Sequence, residues 1–335
     1  MAFLGVETEE EYDLEKELAK RVELKSSATK DGKGIVGMIG AGSFARNFLL
    51  PTLSDEATLQ SVVTSRPNNA RYVADKFGFA NCPASADELL EDVNIDTIFI
   101  ATRHDSHAEY VLKALKKGKH VFVEKPLCLT LDELEQIAAN KPDDAHLMVG
   151  FNRRFAPMVQ KIKSQFREDR PKAINYRINA GVLPKDHWVH DPLVGGGRII
   201  GEACHFIDLC LFLAGAPITK MNAEFMGEEK DTANILLGFE NGSTANISYF
   251  SNGNKKMDKE RLEVFCDGRS AVIDDFKTLT FFGEKTTKEK GKQDKGHAEQ
   301  VRQFMAMIRN GAEPLIDVNA ILDVSRRAIE LTSTA

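Results

Sequence analysis

Five short apolar runs, each separated from the next by an amphipathic segment, constrain the fold of this chain more than any other feature. The runs are IVGMIG (35–40), LQSVVTS (59–65), DTIFIAT (96–102), KHVFVEK (119–125) and AHLMVG (145–150). The segments between them have helical periodicity, around 44–53, 68–77, 84–91, 106–117 and 131–140. Strands that are apolar on both faces and alternate with helices are typical of a parallel sheet built from right-handed βαβ units. We therefore predict a doubly wound, Rossmann-type α/β domain over residues 34–151.

After residue 151 the pattern changes to that of a second, α+β domain over residues 152–335. A helical segment (157–167) is followed by a strand (173–180), a loop rich in His, Pro and Gly, and a long apolar helix (198–214). Strand-like runs then follow between 220 and 282, and Asn-Gly and Asp-Gly turns at 241–242 and 267–268 separate some of them. Two helices, at 297–309 and 318–331, close the chain. This succession predicts a large, mostly antiparallel open sheet.

Residues 1–33 have the composition of a charged lead-in or linker. They carry nine acidic and six basic residues and lead into Gly34 through the polar stretch SSATKDGKG (26–34). A thin apolar stripe suggests a helix over residues 9–24. The segment lacks the basic and apolar regions of a signal peptide, and no run in the chain approaches the roughly 18 apolar residues needed to span a bilayer.

Charge and cysteine content narrow the class of protein further. The chain of 335 residues has 44 Lys and Arg against 50 Asp and Glu, a formal net charge of −6, which argues against a nucleic-acid partner. Its five cysteines are scattered and form no Cys-x-x-Cys pair, as expected of free thiols in a reducing compartment. We expect a cytoplasmic protein that has neither a membrane nor a nucleic-acid partner.

A glycine-rich turn follows the first predicted strand and opens a helix. Residues 40–45 read Gly-Ala-Gly-Ser-Phe-Ala, the G-x-G-x-x-A form of the dinucleotide-binding fingerprint. Gly40 would allow the tight turn, Gly42 would let the backbone approach a pyrophosphate, and Ala45 would keep helix and strand close. Ser43 and Phe44 lie between them at the helix N-terminus, whose N–H groups favour an anion.

The end of the second predicted strand bears on the choice between NAD and NADP. An NAD site usually has an acidic residue here for the adenosine ribose hydroxyls, but this chain has Thr64, Ser65 and Arg66. A hydroxyl and a guanidinium suit a 2′-phosphate, because Arg offers a planar fork of donors. Either cofactor fits the glycine turn, and these residues favour NADP. The alternative is that Arg66 stacks on the adenine or faces solvent.

Several further motifs, in one order along the chain, carry a resemblance to the Gfo/Idh/MocA family of oxidoreductases. After the glycine turn they are TRHDSH (102–107), EKP (124–126), GFNRRF (150–155), GGGRIIGEACHFID (195–208) and DKGH (294–297). The Glu-Lys-Pro motif at the end of the strand 119–125 is the specific one, since other Rossmann enzymes share the glycine turn. The resemblance extends from Gly34 to the C-terminus. It implies nicotinamide-dependent transfer of hydride at a secondary hydroxyl or keto carbon of a sugar, nucleotide sugar or cyclitol.

The resemblance also implies roles for individual residues. Lys125 would lie beside the nicotinamide and the reacting hydroxyl, with a cis bond before Pro126, and would shuttle a proton or donate a hydrogen bond to a developing alkoxide. His205 would be the active-site histidine, and Asn152 and Arg153 would contact nicotinamide or substrate. Cofactor contacts would come from Ala101, Thr102, His104, His107, Glu124 and Lys125.

Two departures from the family pattern stand out. Family members have T-P-N-x-x-H where this chain has Arg103 and His104, and many have Asp in D-x-G-x-H where it has Gly201. Glu202 precedes His205 by three residues, and residues at that spacing share a helix face. We hypothesise that Glu202 takes part in catalysis by orienting His205; the alternatives are that it binds substrate hydroxyls or faces away.

The loop HWVHDP (187–192) contains Trp188, the only tryptophan of the chain. An indole that stacks on a sugar face, with polar groups around it, is what a carbohydrate pocket needs. A zinc site made by His187, His190, Cys204 and His205 is an alternative, but the spacing matches no zinc pattern, and we predict no metal.

The resemblance has consequences beyond the single chain. It implies a homodimer or homotetramer formed through the sheet of the second domain, whose strands have apolar residues on both faces. The charged lead-in resembles the junction in longer proteins in which this module follows a zinc-type medium-chain dehydrogenase, so a fused or partner dehydrogenase is a further expectation. A non-catalytic dinucleotide-binding sensor or scaffold of the same fold is the alternative function, which Gly201 favours and Lys125 and His205 oppose.

Overall fold

The structure is a computed structural model that describes Val22, Glu23 and residues 34–333. A seven-stranded sheet forms its first half. Its strands are β1 (Val22–Glu23), β2 (Ile35–Ile39), β3 (Thr58–Val63), β4 (Asn81–Cys82), β5 (Thr97–Ile100), β6 (His120–Val123) and β7 (Leu147–Val149). They lie in the order β1-β4-β3-β2-β5-β6-β7, with β1 antiparallel to β4 and the others parallel. From β4 to β7 this is the order of dinucleotide-binding sheets, and it confirms the predicted doubly wound fold.

Helices cover both faces of this sheet, which is why its strands are apolar throughout. β2 and β5 are buried along their whole length. A π-helical turn (Ala45–Leu49) leads into α1 (Leu50–Glu56), and α2 (Pro67–Phe77), α3 (Ala86–Glu91), α4 (His107–Lys116) and α5 (Leu131–Asn140) follow. The strand order reverses between β2 and β5, and ligands of such sheets bind at that point, beyond the carboxyl ends of the strands.

The chain crosses to the second half through a short 3₁₀ turn (Asn152–Phe155) and α6 (Pro157–Gln165). The second sheet contains β8 (Ala173–Asn179), β9 (Ile218–Met226), β10 (Thr232–Phe239), β11 (Thr244–Phe250), β12 (Glu260–Cys266), β13 (Arg269–Asp274), β14 (Thr278–Phe282) and β15 (Thr287–Lys290). Their order is β15-β14-β13-β12-β8-β11-β10-β9, and only the pair of β8 and β11 is parallel among these strands. The predicted large, mostly antiparallel open sheet is confirmed.

One long helix, α7 (Gly197–Ala214), covers the inner face of the second sheet. Phe206 of this helix packs edge-on against Tyr176 of β8, with ring centroids 5.3 Å apart, and contacts Tyr249 of β11 at 5.9 Å. All three side chains are fully buried. The predicted apolar helix therefore packs against the inner face of this sheet through buried aromatic side chains.

The last two helices, α8 (His297–Asn310) and α9 (Val318–Ser333), return toward the first sheet. Phe304 of α8 packs edge-on against Phe99 and Phe122, which stack on each other with centroids 4.7 Å apart. Gln300 donates a hydrogen bond to the Val149 carbonyl at 2.8 Å. The chain segment that ends the predicted second domain therefore packs against the core of the first.

The outer face of the second sheet is more polar than the alternation of its strands suggested. Asn246 donates to Asn175, Asn175 donates to Glu263, and Arg261 binds both Glu263 and Asp274. These five side chains satisfy each other's hydrogen bonds across neighbouring strands at the centre of the face, and we call them the polar ladder. Large apolar side chains are exposed around it: Leu236, Phe265 and Phe282.

The structure also bears on a predicted turn, on two strands that were not predicted and on the predicted N-terminal helix. The Asp267-Gly268 turn joins β12 and β13, and both residues have positive φ, as a two-residue hairpin requires. The sequence patterns missed β4 and β15, which are short or fully exposed. The helix predicted over 9–24 lies outside the described residues except for Val22 and Glu23, which form a strand. All five cysteines are free, and no helix of the described residues is long and apolar enough to cross a membrane.

Candidate active site

A cleft of about 470 Å³ lies where the carboxyl ends of β2, β5 and β6 face α7 and the loop before α8. It brings together most of the predicted site residues: Gly42, Phe44, Ala45, Ala101, Thr102, His104, His107, Glu124, Lys125, Arg153, Trp188, Glu202 and His205. Residues far apart in sequence therefore share one concave surface, as expected of a ligand site at the switch point of such a sheet.

The glycine turn begins this surface. Gly40 has φ +83°, its N–H donates to the Val63 carbonyl at 2.9 Å, and a Cβ there would lie 2.6 Å from the Ala101 oxygen. Gly42 is different, because a Cβ on it would meet nothing within 4 Å. Gly40 is thus required by the fold, whereas Gly42 leaves open the space into which a dinucleotide would enter.

Lys125 lies at the end of β6, and the Lys125-Pro126 bond is cis, as the family resemblance implied. Its Nζ donates a hydrogen bond to the Gly201 carbonyl of α7 at 2.8 Å. The fully buried His107 supports this turn, since its Nδ1 lies 2.7 Å from the Pro126 oxygen and must donate to it. His107 thus shapes the turn that carries Lys125.

Glu124 lies beside this lysine and is 9% exposed. Burial raises the pKa of its carboxyl to about 7, against the opposing influence of the Lys125 and Arg153 cations. A Cβ on Gly150 would lie 2.8 Å from its Oε2, so the end of β7 also encloses it. The group is therefore poised between its neutral and charged forms near neutral pH.

The second and third turns of α7 contribute Glu202 and His205 to the opposite wall. Glu202 accepts a hydrogen bond from Lys259 at 3.2 Å and lies 3.7 Å from Arg198. His205 is 7% exposed, and its Nδ1 has no hydrogen-bond partner among the described residues. The Glu202 carboxylate thus has two cations as its partners in this structure, and its predicted role in orienting His205 stays a prediction.

Burial and nearby cations also determine the protonation of this histidine. The pKa of His205 is lowered well below its usual value, first by burial and then by the Arg153 and Lys125 cations. Its imidazole is consequently neutral at physiological pH. A neutral imidazole in a cleft can accept a proton from a reacting hydroxyl.

Arg153 and Asn152, which were predicted to contact nicotinamide or substrate, form hydrogen bonds to distant segments of the chain. Arg153 forms two hydrogen bonds with Glu260, at 2.7 and 2.9 Å, and Lys295 and Tyr176 also donate to Glu260. Asn152 donates to the Lys295 carbonyl and does not line the cleft, so its predicted contact with substrate is not supported. Arg153 lines the cleft, but its guanidinium is hydrogen-bonded to Glu260.

Trp188 lies in the cleft wall, on a 3₁₀ turn (Trp188–His190). The His104 ring meets it edge-on at 4.8 Å, and the Arg103 guanidinium lies 5.7 Å from the indole centre. The two residues that replace Pro and Asn of the family motif therefore both contact this tryptophan.

The remaining predicted cofactor residues lie at the rim. Ser43, Ser65 and Arg66 are exposed, and Arg66 is the residue immediately before α2. The Thr64 hydroxyl donates to the Arg66 carbonyl at 2.8 Å, which fixes the backbone after β3. Since the Val63 carbonyl binds Gly40, this rim adjoins the glycine turn.

The sequence patterns missed five lining residues: Phe48, Lys259, Gln293, Lys295 and His297. Phe48 and Phe44 form an aromatic wall with His297, whose ring centroid lies 4.8 Å from that of Phe48. The DKGH motif (294–297) was a signal for part of this set. Lys259 had no local signal, because only the fold brings it to Glu202.

The alternative zinc site does not form in this geometry. His190 pairs with Asp231 at 3.4 Å and lines another cavity, away from Cys204 and His205. Among the described residues no three His, Cys, Asp or Glu side chains are arranged to hold a metal ion.

The strand order, the glycine turn and the cleft lined by Lys125 define a Rossmann-type dinucleotide-binding fold joined to a second, mostly antiparallel sheet. Two family models match the chain: the NAD-binding Rossmann fold of the GFO/IDH/MocA oxidoreductase family over residues 35–151, and the GFO/IDH/MocA C-terminal domain over residues 158–272. The chain belongs to this oxidoreductase family.

Curated relatives and solved structures agree with this membership. Myo-inositol 2-dehydrogenase of Thermotoga maritima is 25% identical over 310 residues, covering 84% of this chain and 90% of the relative. Scyllo-inositol 2-dehydrogenase (NAD(+)) of Bacillus subtilis is 31% identical over 193 residues, covering 53% and 55%. The structure of UDP-N-acetylglucosamine 3-dehydrogenase from Acidithiobacillus ferrooxidans superposes with a TM-score of 0.77 at 22% identity, covering 90% of this chain and 97% of that one.

The two glycines of the turn should respond differently to substitution. We expect Gly42→Val to keep the melting temperature of the apoprotein while lowering dinucleotide affinity at least tenfold, because its side chain enters open space. Gly40→Ala should lower the melting temperature, since its Cβ overlaps the Ala101 carbonyl. Thermal unfolding and titration of cofactor fluorescence measure the two effects. Unchanged affinity in Gly42→Val would place the dinucleotide elsewhere.

Proposed function

We propose that this protein is an NAD(P)-dependent dehydrogenase that transfers hydride between nicotinamide and a secondary hydroxyl or keto carbon of a sugar or cyclitol. The observation that carries the proposal is that Lys125 and His205 face the same cleft as Gly42. The relatives named as inositol and nucleotide-sugar dehydrogenases support the substrate class.

The residues present fit a dinucleotide. Gly42 leaves the backbone free for a pyrophosphate, and the helical turn after it offers N–H groups without a carboxylate in its first turn. Ala101, Thr102 and Glu124 would line the nicotinamide half of the site. When bound, the nicotinamide supplies the hydride chemistry; the chain supplies position and proton transfer.

Lys125 is suited to hold a proton at the reacting oxygen. An ammonium has three donors, and the Gly201 carbonyl takes one of them. No ion pair joins Lys125 to a carboxylate of the described residues, so its charge is not neutralised by direct contact. The remaining donors can bind a substrate hydroxyl and stabilise negative charge on its oxygen as hydride leaves the carbon.

His205 provides the second proton site. Its neutral imidazole lies in the wall formed by α7, and Nδ1 is not committed to a protein partner among the described residues. Glu202 and Lys259, fixed to each other, offer a carboxylate oxygen and an ammonium to further hydroxyls. Trp188 offers the apolar ring that the C–H face of a sugar or cyclitol would contact.

Removal of the Lys125 ammonium tests this assignment. In Lys125→Met we expect kcat to fall about 100-fold or more, the range of a lost general acid or base, while dinucleotide affinity stays within threefold. Assays of dinucleotide reduction with a panel of inositols, aldoses and nucleotide sugars give kcat. Lys185→Met, at a fully exposed lysine, is the matched control. Equal turnover in the Lys125 variant would contradict the role.

We propose further that the cofactor is NADP. The hydroxyl of Ser65 and the guanidinium of Arg66 stand at the rim beside the glycine turn, where the adenosine ribose of a dinucleotide lies in this fold. Arg binds phosphate through two parallel hydrogen bonds.

Substitution of Arg66 separates the two cofactors. Arg66→Ala should raise the Kd for NADP about tenfold and leave the Kd for NAD within twofold, since only NADP has the 2′-phosphate. Calorimetric titration gives both constants. Arg71→Ala, which removes an exposed arginine one helical turn further along α2, controls for the loss of positive charge. Equal effects on the two cofactors would remove the preference.

We also propose that two copies of the chain pair through the outer face of the second sheet. Leu236, Phe265 and Phe282 are 46–56% exposed on this eight-stranded face, around the polar ladder. Apolar side chains around a satisfied polar centre are compatible with a self-complementary, two-fold interface.

A charge placed on this face should weaken the pairing. We expect the wild-type protein to sediment as a dimer or tetramer at micromolar concentration, and Phe265→Lys to shift the distribution toward monomer. Val93→Lys, at a residue 91% exposed in the first half of the chain, is the control. A wild-type protein that is monomeric throughout this range would refute the interface.

A further inference from the structure

Helix α7 contains a glycine, Gly201, at a position where the backbone conformation would allow any residue. Gly201 is buried in the second turn of the helix, and its φ lies outside the positive range that favours glycine. Glycine stabilises a helix less than alanine does, because it loses more conformational freedom. A reason for glycine at this position must therefore come from a neighbour.

The neighbour is His104. A Cβ on Gly201 would lie 2.9 Å from His104 Cε1 and 3.5 Å from its Nδ1. The imidazole has little freedom to withdraw, since it is 8% exposed and its Nδ1 lies 2.8 Å from the Gly195 carbonyl oxygen. A carbonyl can only accept, so Nδ1 carries the hydrogen of this bond. Any side chain at position 201 would have to displace the ring that makes this bond.

The His104 ring also contacts a residue of the cleft wall, Trp188. Its contact with Trp188, 4.8 Å between centroids at 75°, is the edge-to-face arrangement that aromatic rings prefer. The next residue, Asp105, donates its N–H to the Val194 carbonyl at 3.1 Å. The turn His104–Ser106 therefore holds both ends of the segment 188–195, which carries the indole.

The imidazole is neutral in this position. Burial, followed by the nearby Lys125 cation, lowers the pKa of His104 to about 3. The same Gly201 whose missing side chain admits the ring gives its carbonyl to Lys125 at 2.8 Å. A neutral ring can lie beside that ammonium without repelling it.

We propose that His104 is a positioning residue that fixes Trp188 in the wall of the cleft, and that Gly201 is the residue that makes room for it. Two of the positions at which the chain departs from the family motifs, 104 and 201, are thus in direct contact. The function assigned to Trp188, contact with the substrate, rests on the proposed dehydrogenase activity; the link between the two residues does not.

Thermal unfolding in the wild-type and His104→Ala backgrounds tests the link without any substrate. Gly201→Ala should lower the melting temperature in the wild-type background, where the Cβ overlaps the imidazole. In the His104→Ala background the same change should raise it by about 2 °C, because the helix gains an alanine in free space. Gly291→Ala, at a glycine with open space around it, should have the same small effect in both backgrounds. A rise in both backgrounds would refute the overlap.

Trp188 is the only tryptophan, so its fluorescence reports on this site alone. We expect His104→Ala and Gly201→Ala each to increase quenching by acrylamide about twofold, and the double variant to match His104→Ala. His104→Asn, which keeps a donor for the Gly195 carbonyl but loses the ring contact, should give an intermediate value. Unchanged quenching in both single variants would show that His104 does not position the indole.

Kinetics then test the consequence for the substrate. In the two single variants KM should rise at least fivefold and kcat should change less, because positioning of the substrate contact is lost while Lys125 remains. If the wild type turns over no sugar or cyclitol, the proposed function fails, yet the melting and fluorescence results still decide on the pair. Unchanged KM with altered fluorescence would refute the contact of Trp188 with substrate.

Discussion

The buried ion pair between Arg153 and Glu260 is the interaction on which the geometry of the cleft depends. Arg153 follows the last strand of the first sheet, and Glu260 is the first residue of β12 in the second. The two are joined by paired hydrogen bonds, and Lys295 adds a third from the loop before α8. Three distant segments are thereby fixed at one point.

Such a cluster is stable only when it is complete. Taking charges out of water costs several kcal/mol for each ion, and the loss of one partner leaves an uncompensated buried charge. Here two cations surround one carboxylate, and they hold the pKa of Glu260 far below its usual value despite its burial. The carboxylate therefore stays ionised under all ordinary conditions, and so does the link between the sheets.

The same cations set the protonation of the histidines around them. Arg153 and Lys295 reinforce burial in lowering the pKa of His297 to about 4, and Arg153 acts likewise on His205. Both rings are neutral at physiological pH as a result. The positive charge of the site thus lies on lysine and arginine side chains, and its histidines are left as neutral donors or acceptors.

Sequence reasoning found what is local and missed what the fold brings together. The glycine turn, the apolar strands and the end of β6 at Lys125 each have a contiguous signal. Lys259 and Glu260 have none, because their partners are 57 and 107 residues away along the chain. The partner of Glu202 was missed for the same reason: helical spacing pointed to His205, but Lys259, from the segment before β12, forms the hydrogen bond.

At position 201 this chain has no side chain, but the backbone carbonyl of Gly201 still accepts a hydrogen bond from Lys125. The family resemblance implies Asp at this position in many members, and this chain has Gly201. In this chain the helix itself supplies an acceptor, the Gly201 carbonyl, which no substitution at the position can delete. The volume left free is filled by the ring of His104, and that ring contacts Trp188. A change that looks like the loss of a functional group in the sequence therefore leaves the backbone acceptor of Lys125 in place and gives the freed volume to the ring of His104.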